Sequence, residues 1–75
     1  MEIKFSRHAK RRAKLYEISE KTITAILTNM NLHQGEHEII KHVSGFKYPL
    51  KIVVSVEEKL MTVITNYPIK KGRKK

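Results

Sequence analysis

Cysteine is missing from the chain, so no disulfide staples the fold and no thiolate can hold a metal. That usage fits a reducing compartment. No stretch approaches the ~20 consecutive apolar residues that a membrane-crossing helix requires. None near Met1 has the apolar region of a signal peptide. The expectation is a soluble, cytoplasmic protein with no membrane partner. A glycine-rich phosphate loop and a nucleophile elbow are absent as well, which removes two common catalytic frameworks. Acidic residues are scarce: 7 Asp or Glu stand against 16 Lys or Arg, a formal charge of +9. The cations gather in two stretches, and clustering of this kind predicts a polyanionic partner such as RNA, DNA or an acidic protein.

What remains is enough for one small domain. A chain of 75 residues buries only about 60% or a little more of its unfolded surface, but 40% hydrophobic residues can still build a core. Ile3 and Phe5 alternate with polar neighbours as in a short strand. A helix is expected from about Ser6 to Tyr16, and Ser19 with Glu20 opens a second that runs to about Met30. In that helix Ile23, Ile26, Leu27 and Met30 recur at helical spacing. Three strands follow, over roughly residues 38–43, 48–56 and 60–67, with turns at Ser44–Gly45 and Glu57–Lys59. The predicted class is α+β, with two helices covering one small sheet over residues 1–69 and a basic tail at 70–75.

The first helix concentrates the chemistry. His8, Arg12, Leu15 and Tyr16 share one side of it, Ala9, Ala13 and Tyr16 form an adjacent, narrow apolar strip, and Lys10, Arg11 and Lys14 fan out opposite. The remaining histidines, His33, His37 and His42, lie near Glu36 and Glu38. On a strand His37 and His42 point to opposite faces, so no metal site and no cofactor is expected.

Three segments carry a resemblance: Ser6-x-His8-Ala9-x-x-Arg12, then Ile18-Ser19, then Val63-Ile64-Thr65-x-Tyr67. The pattern resembles a family of small bacterial proteins that open on a Ser-x-His-Ala-x-x-Arg helix and end in a Val-x-Thr-x-Tyr strand. The element order is similar to that of the RelE/ParE toxin superfamily and of barnase-like and EndoU-like metal-independent ribonucleases. The likeness spans nearly the whole chain except the tail. It implies a RelE-like fold and an endoribonuclease toxin, acting on RNA, in some cases at the ribosome, and held by an acidic antitoxin. One position departs from the pattern: Tyr16 stands where the family carries a second arginine. If that arginine binds phosphate, the charge must come here from Arg11 or Lys51.

Metal-free RNA cleavage needs a base for the ribose 2′-hydroxyl, an acid for the departing 5′-oxygen and cations around the phosphorus. Histidine, with a reference pKa of about 6.5, suits the proton transfers, which nominates His8. Arg12 offers a planar fork for phosphate. Thr65 and Tyr67, two apart on one strand, share a face and could bond the phosphate, orient the imidazole or stack on a base. Each also has a plainer role open to it. His8 could tie helix to sheet, Arg12 could pair with Glu17 or Glu20, and Thr65 and Tyr67 are ordinary strand formers. Lys10, Arg11, Lys14, Lys51, Lys70, Lys71 and Arg73 are the expected phosphate contacts. The same surface would equally serve a non-catalytic nucleic-acid-binding module or a ParE-like inhibitor of another protein.

Overall fold

Two serines set where the helices begin. In a computed structural model that describes residues 2–69, Ser6 has extended backbone and its Oγ accepts from the Ala9 N–H at 3.0 Å, opening α1 (Arg7–Leu15). Ser19 does the same for α2 (Glu20–Thr28), accepting from Lys21 N–H at 3.1 Å, with Glu20 in the favourable first turn. α1 stops in a Schellman turn: Glu17 takes a left-handed φ of 57°, its N–H reaches Lys14 O, and Ile18 N–H reaches Ala13 O at 2.7 Å. That turn drops Ile18 into the core immediately before α2. α2 ends at Thr28, two residues short of the expected Met30, with Asn29 as its cap.

The strands are β1 (Glu2–Phe5), β2 (Gly35–Lys41), β3 (Leu50–Glu57) and β4 (Leu60–Pro68). The architecture is α+β, and the order strand–helix–helix followed by three antiparallel strands agrees with the residue pattern. They form a four-stranded sheet in the order β1-β4-β3-β2, with β1 parallel to β4. β2 lies earlier than the expected 38–43. Gly35, at φ 113°, starts it and pairs with Val56, while Val43 falls in the following loop. Only a residue without Cβ takes that φ cheaply. Local alternation of Ile39 and Ile40 could not reveal how far β3 would extend its ladder.

Both helices cover the same face. Ala9, Ala13, Ile18, Ile23 and Leu27 join Ile39, Leu50, Ile52, Val54, Val56, Met61 and Val63 in one core. Pairing across the sheet puts Ile39, Ile52 and Asn66 in one core-facing row, and Ile40, Lys51 and Tyr67 in the next row on the opposite face. Among the described residues no helix is long and apolar enough to cross a membrane. The basic tail at 70–75, including Lys70, Lys71 and Arg73, lies outside the described residues.

Candidate nucleic-acid interface and active site

A β-bulge decides what β4 presents. Val54 pairs with Val63, but the neighbouring Val53 pairs with Thr65, so Ile64 has no opposite number. An extra residue of this kind reverses the alternation beyond it. Val63, Thr65 and Tyr67 would otherwise lie in one phase, and Val63 is fully buried. Because of the bulge, Thr65 and Tyr67 turn to the face without helices and Asn66 turns into the core in their place.

The same bulge is where α1 is fastened. Ser6 N–H donates to Val63 O at 2.9 Å, and Ser6 Oγ–H donates to Ile64 O at 2.9 Å. Asn66 Nδ2 donates to Ala9 O at 3.3 Å. β1 ends opposite Val63, so the next stretch of β4 meets the start of α1 instead of a strand. His8 lies two residues beyond Ser6 and Thr65 one beyond Ile64, so both flank a direct contact. His8 is exposed, as are Arg7, Lys10, Arg11 and Lys14. The tie between helix and sheet is made by Ser6 and Asn66, not by the imidazole.

The other sequence candidates divide. Arg12 is half-buried and its Nη1 donates to Tyr16 Oη at a long 3.4 Å. No carboxylate pairs with it among the described residues, so the anticipated partners Glu17 and Glu20 are not its anchors. Tyr16 thus bonds Arg12 from one turn away. Arg11 is exposed on the same helix. Lys51 is less so: its Nζ lies 3.3 Å from Glu38 Oε1. Tyr67 pairs with Lys51 across the ladder. His37 Nε2 donates to His33 O at 2.7 Å, and no three metal-ligating side chains come together among the described residues.

The Glu38 carboxylate, by hydrogen bond and by charge, raises the Lys51 ammonium above its ordinary 10.5, with Tyr67 adding to the effect. A raised folded value means that the pair stabilises the native state fully below 10.5 and loses that contribution as pH rises through the raised value. Urea midpoints of wild type and Lys51→Met should therefore differ slightly at neutral pH, as exposed pairs do, and converge in strong alkali. A gap that persists unchanged at high pH would assign it to lost packing instead.

Three features of the site have no advance signal in the residue pattern. Asn66 sits between Thr65 and Tyr67 and reads as an outward polar residue. Ser6 reads as a cap and nothing more. Glu38 has no evident connection to Lys51 until β2 and β3 are in register. Comparison with family models, with curated proteins and with solved structures returns no match.

Proposed function

We propose that this chain is a metal-independent endoribonuclease of the RelE-like kind, the cytoplasmic toxin of a toxin–antitoxin pair. It rests on one observation above the rest: the bulge at Ile64, where Ser6 fastens the first turn of α1, turns Thr65 outward, and His8, two residues along that helix from Ser6, is exposed. In this reading His8 takes the proton of the 2′-hydroxyl and returns one to the 5′-oxygen. The 2′-oxygen attacks phosphorus, the P–O5′ bond breaks, and a 2′,3′-cyclic phosphate remains. Arg12 receives the phosphate, Thr65 bonds it or steadies the imidazole, and Tyr67 stacks on or bonds the adjoining nucleotide. Lys10, Arg11 and Lys14 hold the RNA backbone, and an acidic antitoxin covers that basic face. Purified protein incubated with RNA in excess chelator should yield fragments ending in cyclic phosphate. Intact RNA would end the catalytic reading.

A second reading has its own support. Arg12 is already bonded by Tyr16, and Lys51, the neighbour of Tyr67 across the ladder, is already paired to Glu38. That favours a binding module using the same helix. In both readings, reversing Lys10, Arg11 and Lys14 to Glu should weaken RNA binding by about 100-fold at moderate salt. It should also flatten the log–log salt dependence by about 2, since each contact to a single strand contributes about 0.7. An unchanged slope would remove α1 from the interface.

A further inference from the structure

α1 has little apolar surface with which to find its place. Ala9 and Ala13 are its only buried residues, and a pair of methyl groups does not interlock with a sheet in the way that larger side chains do. Direction comes instead from hydrogen bonds between residues 57 and 58 positions apart in the chain: Asn66 Nδ2 to Ala9 O, and Ser6 Oγ to Ile64 O. Asn66 is completely buried, the one polar side chain so placed among the described residues. Its Oδ1 has no hydrogen-bond partner. An apolar side chain there would avoid the desolvated, unpaired oxygen, which is a standing cost to the fold. The residue is therefore poorly explained by stability alone.

We infer that Asn66 is a positioning residue: with Ser6 it forms a two-point clamp that fixes the rotation and axial placement of α1 on β4, and thereby where His8 stands relative to Thr65. The inference rests on the ribonuclease reading for its catalytic consequence, but the clamp itself does not. The bulge is part of the device, since it is what turns residue 66 inward and residue 65 outward. Buried polar contacts that cost stability yet select one arrangement are known from other folds.

Asn66→Val keeps a strand-forming side chain and removes both amide groups. Its thermal midpoint should equal that of wild type or rise by up to about 5 °C. Amide signals of residues 8–12 should move in nitrogen–proton spectra. RNA turnover should fall by about tenfold or more, since small misplacements of reacting groups are costly, while KM stays within about twofold. Ser6→Asp retains the cap but cannot donate to Ile64 O, and should move the same amides. Turnover equal to wild type overturns the inference. So does a parallel loss of stability and turnover, or failure to fold, because a merely structural asparagine behaves that way. If wild-type protein cuts no RNA, the ribonuclease reading fails separately. The spectra and midpoints then still decide the clamp, and unmoved amides over residues 8–12 refute it.

Discussion

Replacing His8 by alanine is expected to lower RNA turnover by about 10²–10⁴-fold, the usual contribution of a positioned acid–base group. RNA affinity should change little. The expectation follows from where His8 is and what holds it there. It is exposed, so its removal leaves no cavity and no unpaired buried group, and the fold should be indifferent to the change. It stands in the first turn of a helix whose start is bonded to the bulge of β4. The surrounding exposed cations, Lys10, Arg11 and Lys14, would hold RNA whether or not the imidazole is present. Turnover and binding should therefore separate in this variant. Equal cleavage by His8→Ala would remove His8 from the chemistry, and RNA bound but left intact by both proteins is the outcome expected of the binding module.

The second large effect concerns the sheet. Ile52→Ala should destabilise the domain by about 2–5 kcal/mol, the range for truncating a fully buried aliphatic side chain. Ile52 is wholly buried in β3, between Ile39 of β2 and Asn66 of β4 in the same core-facing row. A chain of 75 residues has a total stability of about 4–11 kcal/mol, so the loss removes a large share of it. Its melting midpoint should fall by roughly 10 °C or more. Ile40→Ala provides the contrast. Ile40 is adjacent in β2 and 63% exposed, on the opposite face, so its truncation should shift stability by less than about 0.5 kcal/mol. Thermal melts of the two variants side by side check the assignment of faces. Similar losses in both would contradict it.

Much of this arrangement is legible in the residue order, for local reasons. Ser6 and Ser19 mark the helix starts because the cap is a short-range device, completed within three residues. Leu50, Ile52, Val54 and Val56 mark β3 because one face of a central strand is buried throughout. What local pattern cannot supply is partnership. The parallel pairing of β1 with β4 joins Ile3 to Met61. The extension of β2 back to Gly35 depends on Val56. The candidate site was half legible for the same reason. Thr65 and Tyr67 do share a face, as residues two apart should. Strict alternation from Val63 would have buried that face, and only the bulge at Ile64 brings it out. The bulge in turn is held by a serine 58 positions away. Asn66, the residue that takes the vacated inward position, looks no different in sequence from a solvated strand residue.

One site, made jointly by the start of α1 and the outward hydroxyls of β4, is what the ribonuclease reading depends on. Titrating a short RNA that carries 2′-O-methyl groups, and so cannot be cut, into nitrogen-labelled protein tests this directly. Signals of His8, Lys10 and Arg11 should shift together with those of Thr65 and Tyr67, along one binding curve. Shifts confined to α1, with Thr65 and Tyr67 unmoved at saturation, would contradict a shared site.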